Sequence, residues 1–180
     1  MACAAGVCRA TRRVFVTSVI YPANMGGVAG ADMNCQTRAT AAGLMGTFRA
    51  WLSDRTSNAA TRLTHSTVPY VLLDGSMVAN DWADLTDGTI ARPINMTETR
   101  GAPPMAMPVI LGEPTVWTGS TAMGTATPST DHCNDWTDVG TSSHQMTEGR
   151  SDLATMAWSN SRTWSGGPCT WQRPLFCFEQ

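Results

Sequence analysis

The six cysteines constrain the possible folds of this 180-residue chain more than any other feature. They form an even set without a Cys-x-x-Cys pair, and the three histidines lie elsewhere, so their spacing does not indicate a zinc site. A disulfide framework made in an oxidising compartment is the better interpretation. The sequence alone does not choose among the possible pairings of Cys3, Cys8, Cys35, Cys133, Cys169 and Cys177.

Composition excludes several classes of partner. Charged residues make up 14% of the chain, and the formal net charge is −2. This balance gives no electrostatic basis for binding nucleic acid or an anionic membrane. There is no apolar run of transmembrane length, and no secretory signal opens the sequence. We therefore expect an exported form to be a processed chain, located outside the cell or on its surface.

A helix followed directly by a strand is predicted over residues 30–52. Ala31, Cys35 and Ala39 recur at every fourth position, which predicts one buried helical face. Gly43 is placed to end this helix in a left-handed conformation. The alternation over 47–52 then predicts a half-buried strand.

Other segments are assigned by β-branched and aromatic content, by turn residues and by proline. Residues 57–66 allow a second short helix with Ser57 as its N-cap, and 80–85 allow a single helical turn. Five prolines between 92 and 114 indicate a loop with one edge strand near 94–97. Strands are predicted at 13–21, 68–75, 116–120, 132–138 and 171–178.

Several segments in the same order carry a resemblance. GADMNCQTRATAAGLMGTFRAWLSD, from Gly30 onward, resembles the matching stretch of endostatin, the C-terminal domain of certain collagens, and of lectin-like bacterial surface proteins. Further matching segments follow along the chain, and together they cover roughly residues 28–178. They are 67–71, 82–85, 115–120, Cys133 with Trp136, and 175–177.

The resemblance implies an α+β, C-type lectin-like fold. Such a fold has short antiparallel strands, two helices and long loops, and disulfides hold it together. The family pattern would occupy residues 13–180, after an N-terminal segment at 1–12. The implied pairs are Cys35–Cys177 and Cys133–Cys169, which leaves Cys3 for Cys8 in a small N-terminal loop.

Catalysis is not indicated by these residues. The three histidines, His65, His132 and His144, stand in polar, loop-like surroundings without a nucleophile-elbow motif. Every cysteine has a plausible disulfide partner, so no thiol nucleophile stands out. We therefore expect that the protein is not an enzyme.

Calcium is the one cofactor that the sequence suggests. Oxygen-bearing side chains gather at the position where calcium-dependent lectins bind metal and sugar, namely at Asp131, Asn134, Asp135 and Asp138. The Glu-Pro-Asn or Gln-Pro-Asp tripeptide of sugar-binding lectins is missing. The alternative is that these residues form turns, and in that case no cofactor is needed.

Two other sites of the endostatin family transfer poorly to this sequence. The family's zinc site depends on histidines near the amino terminus, where this chain has none. Its heparin affinity depends on clustered arginines. Arg49, Arg55 and Arg62 lie in a comparable region, but the net charge favours solvated surface residues there.

A tryptophan-rich segment between 158 and 171 is the predicted ligand surface. Tryptophan rings can stack on sugars or fill pockets of a protein partner, while asparagine and arginine supply hydrogen bonds. The alternative is that two of the tryptophans plug the core. The candidate ligand-binding residues are Trp158, Asn160, Arg162, Trp164 and Trp171.

The sequence thus predicts an extracellular binding module. It would recognise carbohydrate or a matrix or surface protein, as in cell adhesion, through the loops at 131–171. The alternative is a structural subunit that packs against copies of itself in an extracellular assembly or surface layer.

Overall fold

The computed structural model describes residues 2–4, 7–108, 112–128, 131–138, 140, 144–167 and 169–180. Over these residues the chain is a mixture of short strands and few helices. The helices are α1 (Gly27–Ala41), α2 (Ala59–Arg62) and α3 (Trp82–Leu85), with a 3₁₀ helix at Met156–Trp158. The strands are β1 (Ala2–Ala4), β2 (Val7–Arg9), β3 (Arg12–Val16), β4 (Tyr21–Pro22), β5 (Phe48–Ala50), β6 (Tyr70–Val71), β7 (Met77–Ala79), β8 (Thr115–Trp117), β9 (His144–Arg150), β10 (Arg162–Gly167), β11 (Gln172–Arg173) and β12 (Phe176–Glu179).

The largest sheet has the strand order β5-β12-β3-β6-β7 and brings the two ends of the chain together. The closing strand β12 lies in its interior, antiparallel to both β3 and β5. Cys177 of β12 stands opposite Phe15 on one side and Ala50 on the other. The predicted strands at the start and end of the chain are thus neighbours in one sheet.

Helix α1 packs on this sheet with the face that the sequence predicts. Ala31, Cys35 and Ala39 are fully buried, and small residues at these positions allow the helix to approach closely. Gly43 ends the helix with φ +69°, as predicted, and its N–H donates to the Thr40 carbonyl. The helix begins earlier than predicted, at Gly27.

The second sheet, of order β10-β9-β8, corrects the prediction that 131–171 consists of loops. Strands β9 and β10 form an antiparallel hairpin within that stretch. The sequence HQMTEGR of β9 is mostly polar and therefore does not suggest a buried strand. Its Thr147 and Glu148 are nevertheless buried, because each has polar partners inside the protein. Polar burial hides the apolar alternation on which strand prediction depends.

Three further predictions differ from the observed local structure. Residues 132–138 do not form a strand, because His132–Trp136 is a left-handed helical turn with φ between 45° and 64°. Helix α2 is capped by Asn58, whose side chain accepts the Thr61 N–H at 3.0 Å. Ser57, the predicted cap, instead donates its N–H to Asp54. The edge strand near 94–97 is reduced to a single bridge between Thr97 and Val16.

Both implied disulfides within the domain are confirmed. Cys35 bonds Cys177, and Cys133 bonds Cys169. The first joins α1 to β12, and the second joins the left-handed turn to the segment before β11. The predicted Cys3–Cys8 bond lies outside the residues whose side chains the structure describes, although the β1–β2 register sets the two positions opposite each other.

An aromatic cluster fills the core beneath the large sheet. Trp51 lies 4.8 Å from Trp158 and 5.4 Å from Phe178, measured between ring centroids. Its indole N–H donates to the Ser159 hydroxyl at 2.7 Å, so its polar atom is satisfied inside the core. In the described part of the chain, no helix combines the length and the apolar character needed to cross a bilayer.

Candidate functional site

The left-handed turn at His132–Trp136 is an unusual conformation for residues that are not glycine. Such backbone costs about 1–2 kcal/mol per residue, so the surroundings must hold it in place. Cys133 is bonded to Cys169, and the Trp136 indole N–H donates to the Ser53 carbonyl at 2.8 Å. The His132 ring stacks on that of Trp136 with 5.3 Å between centroids. The turn is therefore anchored covalently and by buried contacts.

Burial makes His132 a neutral side chain. It has no solvent exposure, and desolvation lowers its pKa to about 4, against the opposing pull of Asp131 and Asp135. Its stacking on Trp136 gives it a packing role in the turn. A histidine so placed does not exchange protons with solvent near neutral pH.

His144, at the start of β9, has the opposite environment. Its Nδ1 lies 2.5 Å from a carboxylate oxygen of Asp131, and its Nε2 lies 2.5 Å from one of Asp138. The hydrogen bond to Asp131, followed by that to Asp138, raises the His144 pKa against partial burial. We call this arrangement the His144 clamp.

The four predicted calcium ligands all contact either His144 or Arg55. Asp131 and Asp138 hold His144, while Asp135 forms a 2.7 Å ion pair with Arg55. Asn134 also accepts from Arg55, at 3.0 Å. The hydrogen bond from Arg55 lowers the pKa of Asp135. A calcium ion would have to displace His144 and Arg55 from these oxygens, so this arrangement does not fit the ion as it stands, and the calcium site stays a prediction.

The predicted ligand residues divide between core and surface. Trp158 is fully buried against Trp51 and Phe176, which matches the alternative that it plugs the core. It cannot reach a ligand unless the core opens. Asn160 is exposed, and the side chain of Trp164 lies outside the described residues.

The remaining two predicted ligand residues belong to a buried ionic network. The Arg173 guanidinium lies over Trp117 at 5.1 Å and over Trp171 at 5.3 Å, so one face of Trp171 is covered. Arg173 pairs with Glu148 at 3.1 Å, and both side chains are 1% exposed. Arg162 pairs with Glu113 and approaches Glu148 at 3.8 Å.

A groove next to Asn160 is not among the features that the sequence predicts. Its volume is about 230 Å³. Met123 and Met156 line it with exposures of 59% and 65%, although apolar side chains of this size are usually covered. The whole lining is Asp87, Gly88, Thr121, Ala122, Met123, Met156 and Asn160, which we call the methionine groove.

The signal for this groove in the sequence is weak. Met123 stands in a polar loop and Met156 begins a short 3₁₀ helix, and a single exposed apolar residue at either kind of position is ordinary. Gly88 lies against the Met156 side chain with φ +111°, a backbone conformation that favours glycine. Only the fold brings the three segments to one place.

Comparison with known families settles the relationship that the ordered segments suggested. A family model described as Collagenase NC10 and Endostatin matches residues 16–154, well over half of the chain. This chain belongs to the endostatin family. The family indicates a binding module related to the extracellular matrix, and the two confirmed disulfides agree with secretion.

The arginines that suggested an endostatin-type polyanion site are already paired. Arg62 lies 2.5 Å from Asp32, and Arg49 lies 3.9 Å from the same carboxyl group. Arg55 is held by Asp135. These internal partners weaken the case for heparin in this member of the family.

Proposed function

We propose that this endostatin-family domain is an extracellular binding module with a C-type lectin-like arrangement. Its ligand is a segment of a matrix or surface protein that places an apolar side chain in the methionine groove and a basic side chain beside it. The observation that carries the proposal is that two exposed methionines, Met123 and Met156, line the same concave surface.

The chemistry of the groove supports a protein ligand. Methionine is flexible and polarisable, so two exposed methionines can adapt to an apolar side chain. The Asn160 carboxamide makes no hydrogen bond to other described residues and can bond a peptide backbone. Asp87 is exposed at the rim, and its negative charge favours a lysine or arginine in the ligand.

Carbohydrate is the less favoured ligand. A sugar site usually offers an open aromatic face with several polar groups around it. Trp158 is buried and Arg173 covers a face of Trp171, so two of the three expected stacking rings are engaged elsewhere.

The state of the candidate catalytic groups supports a role without catalysis. His132 is buried and stacked, and both ring nitrogens of His144 bond carboxylates. His65 stacks on Trp82 with 4.1 Å between centroids. No cysteine has a free thiol among the described residues. An activated nucleophile with a poised base therefore has little support.

The test measures binding of the purified domain to immobilised extracellular-matrix proteins and to a glycan array. The variant Met123→Asp/Met156→Asp should lose at least about tenfold in affinity for the matrix ligand, because it places charge in the apolar floor. The matched control is Met33→Asp/Met45→Asp, which changes two methionines that are 70% and 81% exposed and do not line the groove. This control should bind normally.

Three results would contradict the proposal. Selective glycan binding by a monomer would assign the domain to carbohydrate instead. Large homopolymers on a sizing column, abolished by the groove variant, would assign the groove to a second copy of this chain. Equal loss of binding in the groove variant and in its control would remove the groove from the binding site.

A further inference from the structure

Four potential metal ligands meet behind the left-handed turn. A carboxylate oxygen of Asp138, a ring nitrogen of His144 and the Cys169 sulfur all lie within 4.8 Å of one another. Cys169 is bonded to Cys133, so a second sulfur adjoins the group. We call Cys133, Asp138, His144 and Cys169 the inner cysteine cluster.

We propose that the inner cysteine cluster is a redox-gated zinc site, which forms when the Cys133–Cys169 disulfide is reduced. The two thiolates, the Nε2 atom of His144 and one oxygen of Asp138 supply the four ligands that zinc takes in tetrahedral sites. Zinc bond lengths of about 2.0–2.3 Å set ligand atoms roughly 3.3–3.8 Å apart in a tetrahedron. The ligand atoms of Asp138, His144 and Cys169 lie within 4.8 Å of one another, so the longest of these separations needs to contract by about 1 Å. The 2.5 Å between Nε2 and Asp138, and the distance between the two sulfurs, need to widen to reach that geometry.

The orientation of His144 is an independent observation in favour of a metal. Its Nδ1 is held by Asp131 at 2.5 Å, and Asp131 also accepts the Gln145 N–H at 3.1 Å. Metal-bound histidines commonly hold a carboxylate with the ring nitrogen that does not touch the metal. Asp131 thus fixes the ring, while Nε2 points toward Asp138 and would bind the ion.

The disulfide and the metal exclude each other. A sulfur in a disulfide has no thiolate to offer, so the oxidised cluster retains only Asp138 and His144 as ligands. A dithiol or phosphine reductant transfers two electrons to the sulfur pair, and each sulfur takes up one proton. Zinc then displaces these two protons as it binds the two sulfurs, and it also displaces the proton between Nε2 of His144 and Asp138 as it binds those two groups. A dithiol reductant leaves as a disulfide, and a phosphine leaves as a phosphine oxide whose oxygen comes from water.

The rest of the fold can remain in place during this change. The Cys35–Cys177 bond belongs to the same buried cluster, but it joins α1 to a strand that is paired on both sides. The inner cysteine cluster lies outside those strand ladders. Reduction there should loosen the turn without opening the large sheet.

The test uses Co²⁺ as a spectroscopic substitute for zinc, titrated into the whole domain in the presence of a phosphine reductant. Alkylation and mass spectrometry establish that Cys133 and Cys169 are reduced, and circular dichroism follows the fold. We expect one bound cobalt with tetrahedral ligand-field bands and a thiolate-to-cobalt charge-transfer band, and Zn²⁺ should displace it. The oxidised domain should show neither band.

Variants then assign the ligands. Cys133→Ala/Cys169→Ala should abolish the spectrum, and Asp138→Asn and His144→Gln should each weaken cobalt binding by at least about tenfold. Asp131→Asn should weaken it by about ten- to a hundredfold through the orientation of His144. Asp135→Asn is the matched control, because it changes a carboxylate of the same turn that pairs with Arg55 outside the cluster, and it should keep the spectrum.

The proposal is overturned if the reduced domain unfolds or gives no tetrahedral cobalt spectrum. It is also overturned if Asp138→Asn and His144→Gln bind cobalt as well as the parent does, since the thiolates would then act without them. Equal binding by the oxidised domain would remove the redox gate.

Discussion

The two confirmed disulfides stand in contrasting surroundings. Cys35–Cys177 joins a helix with a small-residue face to an interior strand, and regular hydrogen bonds continue on both sides of that strand. Cys133–Cys169 joins a left-handed turn to an irregular segment, next to the ion-paired His144. The first bond reinforces a structure that apolar packing already favours, whereas the second holds a conformation that the backbone disfavours.

The two disulfides therefore mark a part of the domain that should resist local opening and a part that should be able to change conformation. Buried apolar contacts and strand ladders resist local opening, while a turn held by one disulfide and by ion pairs can change when either is altered. The region around Cys35 therefore serves as the scaffold. The region around Cys133 and the methionine groove are the parts proposed to bind a metal ion and a protein ligand, respectively.

The largest effect should come from removing the outer bond in Cys35→Ala/Cys177→Ala. The bond spans 142 residues, and loop entropy gives it up to about 5 kcal/mol, compared with up to about 4 kcal/mol for the 36-residue span of the inner bond. Urea unfolding of both double variants measures this difference. Hydrogen exchange should show increased opening at 131–138 only when the inner bond is missing. Increased opening there in the variant that lacks the outer bond, but not in the one that lacks the inner bond, would contradict the difference between the two regions.

Trp158→Ala should lower the free energy of unfolding by about 3–5 kcal/mol, because it leaves a cavity beside Trp51 and Phe176. Met156→Ala, two positions away on the exposed side of the same 3₁₀ helix, is the control and should change it by less than about 0.5 kcal/mol. Urea unfolding compares the two. A small effect of Trp158→Ala would mean that this side chain does not support the core and could contact a ligand.

Acid should weaken the domain through His132. Its pKa is about 4 in the folded protein, against an ordinary histidine value of 6.5 in the unfolded chain. Between pH 4 and pH 6.5 the unfolded chain therefore binds more protons than the folded protein does. The free energy of unfolding should therefore fall by about 3 kcal/mol as the pH drops from above 6.5 to below 4. The variant His132→Phe keeps a ring on Trp136 and should reduce this slope, as denaturant titrations across the pH range would show. An unchanged slope would mean that His132 is not buried as a neutral ring.

His144 should give a smaller effect of the opposite sign. Its pKa is raised in the folded state, so its contribution is complete below the ordinary histidine pKa and is lost as the pH rises through the folded value. His144→Gln should therefore be more destabilising at pH 5.5 than at pH 9, as measured by urea unfolding. An NMR titration of the ring checks the direction of the pKa shift, and a lowered pKa would contradict the His144 clamp.

Much of the scaffold could be predicted because its signals are local. The spacing of Ala31, Cys35 and Ala39 reports one buried helical face, and Gly43 reports how that helix ends. The disulfide pairing followed from the resemblance to a family rather than from spacing. Strand β9 was missed because Glu148 is buried against Arg173, a partner 25 residues away, and local alternation does not register such a partner.

The candidate sites depend on contacts between distant segments. The sequence by itself determined an even cysteine set, a low net charge, a helix–strand unit and membership of a family. Only the tertiary structure decided that Asp138 and His144 meet Cys169, that Met123 and Met156 line one groove, and that Trp158 is buried in the core. The physical reason is that periodicity records how each residue meets its immediate neighbours, whereas a site is made where loops from separate elements end together.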